Sequence, residues 1–355
     1  MPVIYNFRKR PTSKKQTTET KKISRRELIK QGGLALSVLA LPFPLTTFLN
    51  FNAMTDNKTF DVIIVGGSYA GLSAAMALGR ALRNVLIIDS GLPCNRQTPH
   101  SHNFITQDGE KPGAIAEKAK KEVLKYDTVK FLTDLAVSGT KTDKGFEIST
   151  QSGKIFSAKK LVFATGLRDK MLKIEGFSEC WGITVIHCPY CHGYEVRNKK
   201  TGILGNGDYG FELSRLVSNW TKDLTLFTNG KSTLTVQQAE KLTKHNIPVV
   251  ENEIDSFQNT NGQIQTITFK DNSKTPITAI YARPQTTQHS EIASQLGCEL
   301  TEQGRVKVDM SQQTTIPGVY ACGDCSNSSR DLAIAVSSGV IAGGTCNKEM
   351  ILEEF

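Results

Sequence analysis

The chain has 355 residues, 39% hydrophobic and 22% charged, which suits about two ordinary domains and excludes a disordered chain, a polytopic membrane protein and a mini-protein that needs staples. Its net charge is +9, but residues 1–53 hold ten Lys and Arg against Glu19 and Glu27, so eight of those nine charges sit in the leader. The remaining residues carry no basic excess, which argues against a nucleic-acid partner.

From the N-terminus, a basic polar stretch runs to Lys30, and no charge follows until Asp56. Gly32–Leu49 is apolar, with breaks at Pro42 and Pro44. This is the order of zones in an export signal. At the junction, Ser24-Arg25-Arg26-Glu27-Leu28-Ile29-Lys30 resembles a twin-arginine signal, which suits export of a folded, cofactor-loaded protein to the periplasm or cell envelope. Phe51-Asn52-Ala53 puts a bulky Phe where a cleavage site wants a small residue. A retained membrane anchor is therefore one alternative for residues 1–56, and a cytoplasmic protein translated from Met54 is another.

After the leader the pattern changes. Asp61–Val65 is a short β-branched run, followed by Gly66-Gly67-Ser68-Tyr69-Ala70-Gly71. Leu72–Leu82 reads as a helix of small residues, and Asn84–Ile88 as a second strand ending in Asp89, 18 residues after Gly71. Strand, glycine turn, helix, strand and acid make the dinucleotide-binding βαβ unit, in which helix amides face a pyrophosphate and the acid meets a ribose hydroxyl. Ser68 replaces the second glycine of the usual pattern.

A second copy follows. Thr201–Leu204 leads into Gly205-Asn206-Gly207-Asp208-Tyr209-Gly210, with a helix expected over Phe211–Trp220 and a strand over Asp223–Phe227. Two such units suit an enzyme that passes electrons between two nucleotide cofactors. The second strand ends without an acid, and Lys231 is placed to meet a 2′-phosphate, so NADPH is expected over NADH.

Between the two units lies Cys188-Pro189-Tyr190-Cys191-His192-Gly193. Such a pair can shuttle two electrons as dithiol and disulfide, with His192 tuning a thiol or carrying a proton. Three rival readings stay open: a c-type haem attachment string, a zinc site shared with Cys322 and Cys325, and a structural disulfide.

From Phe60 to about residue 350 the chain resembles the low-molecular-weight thioredoxin-reductase-type flavoproteins, and Cys188–Glu195 is most similar to the thioredoxin-reductase-like dithiol oxidases of the fungal gliotoxin type. Besides the two glycine turns and the dithiol, the likeness includes Ala164-Thr165-Gly166 at the domain crossover and Gly318–Asp324 near the end. It implies an α/β fold of two Rossmann-like domains, the NAD(P)H domain inserted into the FAD domain. FAD would use residues 57–170 and 288–355, and NAD(P)H with the dithiol 171–287. FAD and NADPH are the implied cofactors, a thioredoxin-like protein or a small thiol or disulfide the implied partner, and a homodimer the implied assembly. Asp324 and Gly323 would hold the flavin's ribityl-phosphate region, with Arg96, Gln97 and Asn103 as further FAD contacts. Cys191 would face the flavin and Cys188 would attack the outside disulfide; a dithiol oxidase runs the flow backwards, to oxygen. His192 stands where thioredoxin reductases carry Asp, Arg330-Asp331 replaces their Arg-Gln near the flavin, and the double-arginine phosphate string is absent after Phe227. A non-catalytic flavin- or haem-binding electron carrier is the alternative from another class. Cys94, Cys180, Cys298 and Cys346 read as small buried hydrophobes, and His100 and His102 as turn histidines.

Overall fold

The computed structural model describes residues 55–355. The expectations for the leader, as export signal or anchor, fall outside the described residues. Among those described, no helix is long and apolar enough to cross a membrane.

The first part of the chain runs β1 (Thr55–Val65), α1 (Tyr69–Arg80), β2 (Val85–Asp89), α2 (Pro112–Val123), β3 (Val129–Thr133), β4 (Ala136–Thr142), β5 (Gly145–Thr150) and β6 (Ile155–Phe163). Then follow β7 (Leu167–Lys170), α3 (Phe177–Cys180), β8 (Val185–Ile186), α4 (Pro189–His192), β9 (Thr201–Leu204), α5 (Gly207–Val217), β10 (Leu224–Phe227), α6 (Val236–Lys244) and β11 (Val249–Val250). The last part comprises β12 (Ile254–Thr260), β13 (Gln263–Phe269), β14 (Lys274–Pro276), β15 (Ala279–Ala282), β16 (Gln285–Gln288), α7 (Ile292–Gln295), β17 (Val319–Ala321), a 3-10 turn at Gly323–Cys325 and α8 (Leu332–Glu354).

Val62, Ile63 and Ile64 are fully buried because β1 is covered on both faces, as continuous apolar runs in parallel strands require. β3, β2, β1 and β6 pair in parallel in that order. β6 then serves two partners: its first half pairs antiparallel with β5, and Leu161–Phe163 pair in parallel with β17. On one side of this sheet Ile63, Leu86 and Phe163 cluster with Ile148 and Ile292; on the other Ile64 and Ile87 cluster with Leu78 of α1 and with Ala342, Cys346 and Met350 of α8. α1 and α8 touch closely, since a Cβ on Gly339 would lie 2.2 Å from Ala70 O and one on Gly343 2.6 Å from Ala74 O.

A second parallel sheet has the order β11-β10-β9-β15-β8, β12–β14 form a three-stranded antiparallel sheet beside it, and β7 and β16 form an antiparallel pair. Both expected nucleotide-type helices are present but begin earlier, at Tyr69 and Gly207 rather than Leu72 and Phe211. The glycine strings themselves supply the first helical turn.

Candidate active site

The turn between β1 and α1 tolerates only glycine at two positions. Gly66 has φ +105°, and a Cβ there would lie 2.3 Å from Ala164 O; a Cβ on Gly71 would lie 1.9 Å from Gly66 O. Gly67 N donates to Asp89 Oδ1 at 2.8 Å and Gly91 N to Asp89 Oδ2 at 2.9 Å. Asp89, expected at a ribose hydroxyl, thus also braces the turn. Ser68 heads α1 without a side-chain cap and the first turn holds no acid, so the positive end of α1 stays open to an anion.

A cavity of about 460 Å³ opens at this turn. Gly66, Gly67, Ser68, Tyr69, Ala70 and Asp89 line one part of it. Ala164, Thr165 and Gly166 contribute from the end of β6, and Gly323, Asp324, Arg330 and Asp331 from the approach to α8. Cys191 and His192 reach the same cavity from α4, whereas Cys188 does not. An open helix end, a tight glycine turn beside the cavity and neighbouring apolar walls fit FAD. Arg96, Gln97 and Asn103, expected at FAD, do not line it. Arg96 Nη1 donates to Pro93 O, Gln97 Nε2 to Ser178 O, and Asn103 N to Asp108 Oδ1, so their polar groups fasten loops instead. Their neighbours Cys94, Asn95, Thr98 and His102 line the cavity in their place.

Cys188 and Cys191 are joined, with Cα atoms 5.2 Å apart. Cys188 heads α4, and its Sγ accepts from Cys191 N at 3.1 Å. Next to the bridge, burial pushes the His192 pKa down, nearby His102 pushes the same way, and Glu195 pulls it back up. His187 stacks on Trp181 with ring centroids 5.8 Å apart, and burial lowers its pKa to about 4. Arg330 forks onto Asp169 at 2.6 and 3.2 Å and donates from Nε to Asp324 Oδ2 at 3.2 Å. Burial works against its charge, but the hydrogen bonds to Asp169 and the two carboxylates hold the guanidinium's pKa up. Asp324 is pushed up by burial, which Arg330 and Arg305 only partly offset. Asp331 caps α8, its Oδ1 accepting from Ile334 N at 2.8 Å.

The second turn keeps the backbone frame without the open end. A Cβ on Gly210 would lie 2.9 Å from Gly205 C and O, and Gly207 has φ +54°. Asn206 Oδ1 accepts from Gly207 N and Thr233 N, both at 2.8 Å, so the first amide of α5 already has a partner. Asn206 Nδ2 donates to Lys231 O at 2.9 Å, which fixes the main chain at Lys231 beside this turn.

Some cavity residues had no sequence signal, and others a weak one. His102 carries only a turn signal in the sequence, and His187 carries none beyond directly preceding Cys188. Asp169, which holds the cavity residue Arg330 without lining the cavity itself, had no local pattern. Cys180, Cys298 and Cys346 are buried as expected. Cys94 is a correction: it is exposed, but to the cavity, where surrounding protein still desolvates the thiol and raises its pKa. Cys322 and Cys325 are buried thiols, the latter donating to Phe163 O and Cys322 O.

A glycine turn opening on a cavity that also holds one sulfur of a disulfide defines a flavin-linked disulfide oxidoreductase. Residues 60–339 match the pyridine nucleotide-disulphide oxidoreductase family, and the chain belongs to it. It is 30% identical over 311 residues to a thioredoxin reductase of Claviceps purpurea, covering 84% of this chain and 97% of that one. It is 32% identical over 308 residues to a thioredoxin reductase of Aspergillus oryzae, covering 83% and 98%. A putative thioredoxin reductase from Bacillus anthracis superposes with a TM-score of 0.80 at 31% identity, over 83% of this chain and 100% of that one. The protein is thus a thioredoxin-reductase-like disulfide oxidoreductase whose cofactors are FAD and NAD(P)H.

Proposed function

We propose that the enzyme moves two electrons between NAD(P)H, FAD and the Cys188–Cys191 pair, and from there to an outside disulfide on a thioredoxin-like protein or a small molecule. The observation that carries this reading is that Cys191 shares one cavity with the Gly66–Gly71 turn. Bound FAD supplies the two-electron exchange with the disulfide. Gly66–Gly71, Asp89, Ala164–Gly166 and Gly323–Asp324 would hold it, with Arg330 keeping Asp324 and Asp169 in place. Opening the Cys188–Cys191 bridge takes up two electrons and two protons. The Cys188 sulfur then attacks the outside disulfide and expels one thiol, and Cys191 closes on Cys188 and expels the second. His192 holds and releases protons beside Cys191. Residues 57–170 with 288–355 form the FAD part and 171–287 the NAD(P)H part, Lys231 meets a 2′-phosphate, and two copies form the working dimer.

A second reading is favoured by the capped turn at Gly205–Gly210, where Asn206 already occupies Gly207 N. In this reading thiols would feed electrons in through the same dithiol, bound FAD would supply the exchange with oxygen as the final acceptor, and residues 1–56 would export the folded enzyme. One experiment separates the two: purified protein is titrated anaerobically with NADPH and then with dithiothreitol, following flavin absorbance. Bleaching by NADPH supports the reductase, with a cytoplasmic start near Met54. A flavin that ignores NADPH but is bleached by dithiothreitol supports the exported oxidase. In either direction, Cys188→Ser and Cys191→Ser are expected to lower turnover by roughly a hundredfold or more while the flavin stays bound. Full turnover in both variants would sink the dithiol mechanism.

A further inference from the structure

We propose that His102, together with Glu195, relays protons between His192 and solvent each time the Cys188–Cys191 bridge opens or closes. His102 is far from the dithiol in sequence and arrives on the loop between β2 and α2. That loop is pinned by Ser101 N donating to Glu110 O and Gly109 N donating to Ser101 O, each at 2.8 Å. It brings the His102 ring edge-on to His192, with centroids 6.4 Å apart and planes at 88°. Each nitrogen of His102 faces a carboxylate: Nδ1 lies 3.7 Å from Asp108 Oδ1, and Nε2 lies 3.7 Å from Glu195 Oε1. The His102 side chain is 20% exposed, while Asp108 is 69% and Glu195 40% exposed. The line from His192 through His102 to the two carboxylates therefore leads outward from the cavity to water; a small shift closes the 3.7 Å gaps from His102 to the carboxylates, and a ring rotation or one water bridges the two imidazoles, whose centroids are 6.4 Å apart.

The chemistry requires such a path. Reduction of the bridge adds two electrons and two protons and gives two thiols; oxidation by an outside disulfide returns two electrons and leaves two protons on the thiols released. His192 sits beside Cys191 in the cavity, and the titratable groups around it are His102, Glu195 and His187. Of these, His187 is itself enclosed, with an Nε2 buried from water. His100 is 6.4 Å from His102, but its Nδ1 is engaged with Gly109 O at 2.8 Å. His102 is thus a positioning and relay residue acting through His192, and the proposal rests on Cys188 and Cys191 being the working dithiol.

The test uses the full-length, FAD-loaded protein and its variants His102→Gln, His102→Gly and Glu195→Gln, with flavin absorbance and melting temperature confirming that each folds. Anaerobic bleaching of the flavin by dithiothreitol is followed against pH, and the His192 imidazole is titrated by NMR in the oxidised protein. Loss of His102 is expected to slow bleaching about tenfold. It removes a neighbour that lowers the His192 pKa, so the His192 midpoint moves up; Glu195→Gln removes a neighbour that raises it, so the midpoint moves down. Added imidazole is expected to recover part of the rate in His102→Gly. Bleaching within twofold of the parent with unmoved midpoints overturns the relay. So does a slowing that is the same at every pH and insensitive to imidazole, which marks a loop-fastening role. If Cys188→Ser bleaches normally, it is the dithiol reading that fails; if that variant is dead and His102→Gln is silent, only the relay fails.

Discussion

The imidazole of His187 is held neutral by its surroundings, which gives the protein a particular response to acid. Burial, with Arg330 second, lowers its pKa from 6.5 to about 4. As pH falls through 6.5, the unfolded chain takes up a proton that the native state refuses until about 4, so native stability is lost across that window. His187→Phe, which keeps an aromatic ring against Trp181, removes this contribution. The melting temperature of the parent is expected to fall relative to that variant between about pH 7 and about pH 4.5. An equal difference at both ends would show that His187 does not titrate on unfolding. The glycine turn and the bridged cysteine pair, Gly66–Gly71 and Cys188–Cys191, were legible in the sequence because each is one unbroken string whose spacing is itself the geometry. His102 and His187 were not, because separate segments have to fold before they meet at one cavity, and Asp169 was not, because its partner Arg330 lies 161 residues away. Arg96, Gln97 and Asn103 lie on the expected loop but outside the cavity lining, because which side chains of that loop turn inward depends on its folding, as where Gln97 bonds to Ser178 O, 81 residues away.

At the scale of elements, the contact between α1 and α8 is built on missing side chains. Gly339→Ala would push a methyl group to within 2.2 Å of Ala70 O, and Ala70 lies in the first turn of α1 beside the cavity. The expected cost is about 1–3 kcal/mol, accompanied by weaker flavin retention. Gly344, five residues on, faces open space. Gly344→Ala is therefore expected to be neutral or to stabilise by up to about 1 kcal/mol through helix propensity alone. Denaturant melts of the two variants, with flavin released on dilution as a second reading, check the pair. Equal behaviour would show that α8 slides to absorb the methyl. The buried β-branched runs and both glycine turns were readable from period and composition. Helix starts were displaced because a glycine turn and a first helical turn share residues. β4–β5 and β12–β14 were not singled out, since they carry no glycine string, although β5 and β13 do alternate buried and more exposed residues.

Across the whole molecule, Arg330 ties the segment after β6 to the segment before α8, with Asp169 lying 161 residues away in sequence. The two side chains are 14% and 7% exposed. Arg330→Met would leave Asp169 and Asp324 as enclosed carboxylates without their cation, at an expected cost of about 3–5 kcal/mol. Adding Asp169→Asn should recover part of that loss, because one of the two uncompensated charges is gone. Urea unfolding of the single and double variants measures both terms; additive losses would show that the pair is not coupled. The broad plan, two parallel sheets each opened by a glycine turn, was visible in the sequence. The ion trio was not, because residues so far apart carry no shared local pattern.

The pairing of β17 with β6 also sets a timetable for synthesis. Leu161–Phe163 leave the ribosome long before Val319–Ala321 exist to cover them. At ~5–20 residues per second the interval is on the order of ten seconds. Throughout it, the nascent chain carries an uncovered strand edge of apolar residues, the kind of edge that recruits other chains. Each molecule therefore passes through a vulnerable, cofactor-free youth that ends only when its last tenth is translated.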